Sequence, residues 1–262
     1  MARFYNLFSS SKGNCSYIGN EKSGILIDCG ANAKQISLAL AEKNIDSSAV
    51  KAVFVTHEHT DHVSGLRVFC SRNHVPVFAS KGTYEALSGK GMLDGDFFSY
   101  VIEGETAAAD FAVSCFPISH DCAEGCGYTV ETKDGRRLSV CTDTGCITPE
   151  IAAAVKGSDL VLLESNHEVG MLMAGRYPYP LKMRILSDRG HLSNESCAAF
   201  AKELVQSGTT RLILGHLSQE NNIPDSAYQA TCCALSAMGA ELNRDYMLSV
   251  ASPRTKGDVF VL

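Results

Sequence analysis

The apolar run KAVFVT, residues 51–56, ends where HEHTDH, residues 57–62, begins. A run of that length and composition reads as a buried strand. The next six positions hold three imidazoles and two carboxylates: His57, Glu58, His59, Asp61 and His62. Burying the strand therefore delivers a dense set of potential metal donors to the edge of a sheet. The arrangement repeats, since FAVSCFPIS leads to His120, RLILG to His216, and RLSVCTD ends on Asp143. Strand ends hold side chains on rigid backbone, so one site can be built from separated pieces of chain.

In H-x-H, His57 and His59 point the same way while Glu58 points elsewhere. Asp61 and His62 come from the turn beyond, aimed at a second position. One site then takes His57, His59 and His120, and the other takes Asp61, His62 and His216. Asp143 lies between them as a bridging carboxylate. Imidazole with carboxylate suits two divalent ions of zinc, manganese or iron and does not select among them. Any single histidine has a structural reading as well. His74, in SRNHVPV, stands alone in the sequence and reads as a surface or turn residue.

The opening segments RFYNLF, CSYIGN and GILIDCG read as closely spaced antiparallel strands. Asn32 reads as the N-cap of a helix through Lys43, with Ile36, Leu38, Ala39 and Leu40 on its apolar side. A helix near 63–72, the strand VPVFAS and a helix from Lys81 come next, then strands at 97–102, 111–117, 127–132 and 137–141. The second half alternates helix 148–155, strand DLVLLES, helix 193–206, strand RLILGH and helix 226–238. With no linker or repeat to divide it, the chain of residues 1–262 reads as a single domain of two sheets with helices outside.

The 11 cysteines are an odd number spread through apolar segments, which argues for reduced thiols rather than a disulfide framework. Cys122 and Cys126 have a zinc-compatible spacing, but no second pair matches it. No stretch approaches the roughly 20 apolar residues that span a bilayer, and MARFYNLFSSSKGNCSYIGN is no signal peptide. The expectation is a cytoplasmic protein with no membrane partner; no protein partner is inferable. A net charge of −6 argues against a general nucleic-acid binder, because phosphate affinity comes from basic surface. RYPYPLKMRILSDR, residues 176–189, is the local exception. It sets Arg176, Lys182, Arg184 and Arg189 against the single acid Asp188, with Tyr177 and Tyr179 as stacking faces. The bland reading of that stretch is a solvated loop stiffened by its prolines.

THEHTDH resembles the signature of the metallo-β-lactamase fold. ILIDCG matches the aspartate motif before it, and SHD (119–121), TDTG (142–145) and GHLS (215–218) match the later motifs in order. The resemblance implies an α/β (α+β) chain folded as an αββα metallo-β-lactamase sandwich, with Asp28 buttressing the ligand loop. ESNHEVGMLMAGRYPYPLKMRILSDRGHLSN, residues 164–194, together with FSSSKGNCSYI and GHLSQENN, is similar to the YycJ/WalJ subgroup, exonucleases related to RNase Z and RNase J.

That similarity implies a metal-dependent phosphodiesterase acting on DNA, a 5′-to-3′ exonuclease using a two-metal-activated hydroxide, with a place in DNA repair. In this reading Asp61 orients the hydroxide, His191 assists the leaving oxygen as a comparable histidine does in RNase Z-like enzymes, and Glu164 orients His191. Lys182 and Arg184 are expected on the DNA backbone. Ser193, as a helix N-cap, and Asn194 would bring free N–H groups to a phosphate. His167 either faces substrate or caps its own helix. The alternatives are an RNase or small-nucleotide phosphodiesterase of the same fold, or a metal-binding regulatory protein with little catalysis. Against tRNA processing, the sequence shows no long inserted arm of the kind that grips tRNA.

Overall fold

The computed structural model describes residues 2–254 and 259–261. Among these, the strands form two seven-stranded sheets. The first contains β1 (Arg3–Ser10), β2 (Gly13–Gly19), β3 (Gly24–Ile27), β4 (Val50–Val55), β5 (Val77–Ala79), β6 (Ser99–Val101) and β14 (Val259–Val261), in the order β14-β1-β2-β3-β4-β5-β6. The second contains β7 (Glu105–Ala108), β8 (Phe111–Pro117), β9 (Cys126–Thr132), β10 (Arg137–Cys141), β11 (Leu160–Glu164), β12 (Arg211–Gly215) and β13 (Met247–Val250), in the order β13-β12-β11-β10-β9-β8-β7. The helices are α1 (Ala33–Ala41), α2 (Thr60–Val63), α3 (Leu66–Asn73), α4 (Lys81–Gly89), α5 (Pro149–Val155), α6 (Val169–Ala174), α7 (Tyr179–Ile185), α8 (Asn194–Gln206) and α9 (Pro224–Ala237). No helix among the described residues is long and apolar enough to cross a membrane.

The chain groups into two compact units. The first holds residues 1–115, 122–135 and 252–262, and the second holds residues 116–121 and 136–251. In the first, β1, β2 and β3 are antiparallel, while β3, β4 and β5 are parallel. Its core joins Leu7, Tyr17, Leu26, Ile36, Val53 and Phe69. In the second, β10 to β13 pair in parallel, and Leu163, Leu214, Phe200 and Leu235 lie in the core. Inner parallel strands covered on both faces carry continuous apolar runs, which is why β4, β11 and β12 are so legible in sequence.

Local chemistry explains the boundaries. Asn32 Oδ1 accepts from Gln35 N at 3.0 Å and starts α1, as expected. The helix ends at Ala41 rather than Lys43, and Leu38, expected on its apolar side, is 54% exposed. His74 ends α3 in the left-handed conformation on the surface. The segment 176–189, for which a solvated loop is the bland reading, contains α7: its prolines sit at the helix start, where a missing N–H costs nothing and the fixed φ is already helical. The strands β7, β13 and β14 and the short helix α6 are further elements that sequence patterning does not reveal. All are brief or lack a clear period.

Strand polarity positions the chemistry. In a parallel sheet all C-terminal ends share one edge. Cys141 pairs with Leu163 and Glu164 with Gly215, so the residues after β10 and β12 emerge beside Glu164. Asp143 (φ 59°) and His216 (φ 54°) then take left-handed backbone, as does Asp28 (φ 64°) after β3. Such conformations cost on the order of 1–3 kcal/mol for non-glycine residues and collect where geometry serves a site.

Gly30, in ILIDCG, is required by close approach. A Cβ there would lie 1.7 Å from the Asp61 carbonyl oxygen and 2.5 Å from Asn14 N. Gly30→Ala is expected to lower stability by about 3 kcal/mol, the upper end of overpacking costs. Gly89→Ala, at the end of α4 with open space around it, should be neutral or slightly stabilising. Urea midpoints of the two variants check this, and equal midpoints would contradict it.

Candidate metal centre

In the first unit, one carboxylate organises the donors beyond β4. Asp28 Oδ1 accepts from Thr56 N (2.8 Å), and Oδ2 accepts from Thr56 Oγ1 (2.9 Å) and from His62 Nδ1 (2.8 Å). Thr56 Oγ1 lies 3.1 Å from His57 Nδ1. His57 and His62 are fully buried, with ring centroids 4.1 Å apart, and His59 stacks edge-on to His57 at 4.6 Å. Glu58 turns away, as expected: its Oε1 accepts from Ala123 N at 2.9 Å. Asn14 Nδ2 reaches Asp61 Oδ2 (3.3 Å) and His62 Nε2 (3.0 Å). This contact gives Asn14, in FSSSKGNCSYI, a role that the sequence pattern does not signal.

In the second unit the organiser is Glu164, fully buried at the end of β11. Its Oε1 accepts from His191 Nδ1 (2.9 Å) and His216 Nδ1 (2.8 Å), and its Oε2 from Thr144 N (2.9 Å) and Leu192 N (3.1 Å). Burial alone would raise this carboxyl; the His191 and His216 imidazoles outweigh it and hold the group well below the usual carboxylate range. Asp143 Oδ1 lies 3.3 Å from His216 Nδ1 and 3.9 Å from His191 Nδ1. His120 bonds through Nδ1 to the Gly190 carbonyl at 3.1 Å, and burial pushes its pKa down, favouring the neutral ring. His191 lies between His120 and His216, with centroids 5.1 and 5.3 Å away.

A common chemistry runs through both units. His57, His62, His120 and His216 each bond through Nδ1 to a hydroxyl, a carboxylate or a carbonyl. That is how metal-binding imidazoles are oriented, with Nε2 directed to the ion. The donor sets therefore fit a divalent metal. Asp28 meets His62, and Glu164 meets His191 and His216, as partners of these rings.

Other expectations need correction. Lys182, expected on DNA, is buried and its Nζ donates to the Met173 carbonyl at 2.7 Å. Arg184 is not overturned in this way: its Nε pairs with Asp121 while half of the side chain stays exposed, and a contact with DNA remains a proposal. Asn194, expected near a phosphate, is 3% exposed: its Oδ1 accepts from Ser165 Oγ (2.7 Å) and its amide pairs with that of Asn222 (2.9 Å). Sequence signals only that these side chains are polar, and burial decides whom they meet. Ser193 does cap α8, its Oγ accepting from Ser196 N at 3.1 Å. His167 does not cap α6, because Glu168 does; its ring is buried, which lowers its pKa. The eleven cysteines are all free thiols, and Cys122 and Cys126 join no metal-binding group among the described residues.

Lys182→Met is accordingly expected to lower stability modestly, by about 1 kcal/mol, the net worth of one hydrogen bond. KM for a nucleic acid should stay unchanged. A raised KM with unchanged stability would restore Lys182 to the surface that meets substrate.

Mixed sheets with helices, and histidines oriented at strand ends by buried carboxylates, define a metallo-β-lactamase-type fold. Residues 24–217 match the Beta-lactamase superfamily domain, and the chain belongs to that family. It is 33% identical over 254 residues to Exodeoxyribonuclease YycJ of Bacillus anthracis, covering 96% of each chain. It is 34% identical over 253 residues to Exodeoxyribonuclease WalJ of Streptococcus pneumoniae serotype 2, covering 95% of this chain and 94% of that one. In fold it matches the metallo-β-lactamase fold protein YhfI from Bacillus subtilis, with a TM-score of 0.72 at 14% identity over 99% and 98% of the two chains. The fold class and the resemblance to YycJ/WalJ proteins are both borne out.

Proposed function

We propose that this chain is a metal-dependent nuclease, a 5′-to-3′ exonuclease on DNA, working as one metallo-β-lactamase-fold domain. Two divalent ions would be held by His57, His59, Asp61, His62, His120, Asp143 and His216. Such ions neutralise phosphate charge and acidify water, which is the chemistry this reading asks of them. The observation that carries the reading is the single Glu164 oxygen shared by His191 and His216. It orients one imidazole toward an ion and leaves a second, partly exposed beside it, for proton transfer. A passive metal site has no use for the second.

The residues divide the work. Asp61, held by Asn14, accepts a proton from the water that attacks phosphorus. His191, oriented by its hydrogen bond to Glu164, donates to the departing 3′ oxygen. Arg176 and Tyr179 are exposed on the segment after α6 and at the start of α7, and would meet the strand by charge and stacking. DNA as substrate, and the direction of digestion, rest on the likeness to YycJ and WalJ.

The test is digestion of 5′-labelled duplex DNA, single-stranded DNA and RNA, before and after chelation. Expected is release of the label from DNA first, abolished by chelator and restored by manganese, zinc or iron. Cleavage of RNA alone, or attack from the 3′ end, would replace this reading.

A further inference from the structure

The basic segment so prominent in sequence turns two of its exposed arginines back onto the protein. Arg189 donates through Nε (3.2 Å) and Nη2 (3.0 Å) to the carbonyl oxygen of His120. Gly190 offers its own carbonyl to His120 Nδ1 at 3.1 Å. Arg184 Nε pairs with Asp121, the next residue. From the other side, Gly145 N donates to the Ser119 carbonyl (2.9 Å) and Ser119 N to Thr144 Oγ1 (3.2 Å). Residues 119–121 are thus pinned at every peptide by two separate loops.

Gly190 makes the approach possible. A Cβ at that position would fall 2.2 Å from the Ile185 carbonyl oxygen and 2.3 Å from that of Arg184, at the end of α7. The turn at residues 187–190 is closed by Gly190 N to the Ser187 carbonyl (2.8 Å) and His191 N to the Ile185 carbonyl (2.9 Å). One rigid turn therefore fixes the His120 backbone through Arg189, the His120 ring through Gly190, and the position of His191, the next residue.

We propose that Arg189, assisted by Arg184, is a positioning residue that aims His120 Nε2 by clamping the His120–Asp121 peptide. Arginine suits this work because its planar fork meets one oxygen with two N–H groups and resists rotation. On this assignment the RILSDRG stretch braces a ligand rather than gripping nucleic acid. The inference rests on the reading of His120 as a metal donor, but the clamp itself can be measured without metal.

Two measurements separate these. In metal-free protein, nitrogen-15 NMR of the imidazoles reports the His120 Nδ1–H. Arg189→Ala should shift that signal and speed its exchange with water, while Arg189→Lys, which keeps one donor, should restore it in part. In titrations with Mn²⁺ or Zn²⁺ against a chelating dye, Arg189→Ala should weaken binding by about 10-fold, the lower end for loss of an orienting partner. Arg136→Ala, which breaks a surface pair with Asp159 in the same unit, should move neither readout. If Arg189→Ala fails to fold, Arg189→Lys and Asp121→Asn carry the test. An unchanged His120 signal overturns the clamp. Wild-type protein that takes up no divalent ion overturns the metal reading instead, and the NMR result then stands by itself.

Discussion

Glu164→Gln is expected to remove most of the activity and much of the stability in one step. The carboxylate is fully buried and accepts from two imidazoles and two backbone amides. Glutamine keeps the volume, removes the charge and turns one acceptor into a donor that must face other donors. Breaking a buried charge pair by changing one partner costs about 3–5 kcal/mol. His216 loses its orienting acceptor, so metal affinity should fall by about 10–100-fold. His191 loses the acceptor that orients its ring, so turnover should fall by a further factor on the order of 10²–10⁴. Denaturation midpoint, metal content and DNA turnover should all drop together. A variant with full metal content and near-normal turnover would remove Glu164 from the centre of the site.

His191→Ala separates what Glu164→Gln combines. His191 is 18% exposed in its side chain, against 3% for His216, and it shares its carboxylate partner rather than having one of its own. The seven proposed ligand positions do not include it. Removing the ring should therefore leave metal content intact, with Glu164 still held by His216 and two amides. Turnover on DNA should fall by a factor on the order of 10²–10⁴, the usual range for a lost general acid. A phosphodiester with a good leaving group needs little protonation and should recover most of that loss. Loss of metal in this variant would make His191 a ligand, and wild-type turnover on DNA would make it structural.

The two substitutions also mark where sequence reading succeeds. His191 directly follows a glycine and lies two residues before a helix cap, and its candidacy is readable from the motif. That Glu164 serves two histidines, 27 and 52 residues away in sequence, is not readable there. Sequence suggests only the first of these pairings, because a carboxylate at a strand end has no visible address. The parallel register of β10, β11 and β12 supplies the address by setting three strand ends side by side.

The same division holds across the molecule. The apolar strand runs, the helix caps at Asn32 and Ser193, and the clustered donors at 57–62 depend on neighbours within a few residues. Their physics is local, so sequence by itself determined the family, the metal-binding character and the candidate ligands. Lys182, Arg184, Arg189 and Asn194 are different. Each is polar and on that ground reads as facing outward, yet Lys182 seals the end of α6 and Asn194 is locked to Asn222, while the two arginines, still exposed, reach back to hold the His120 loop. Long polar side chains have enough reach and rotamer freedom to turn either way. Which way they turn is set by the carbonyls and carboxylates that folding places near them, since a buried acceptor left without a donor costs about 1–3 kcal/mol. Only the tertiary structure brings those acceptors together, and so only it decided which of these polar side chains are spent on holding other parts of the fold in place.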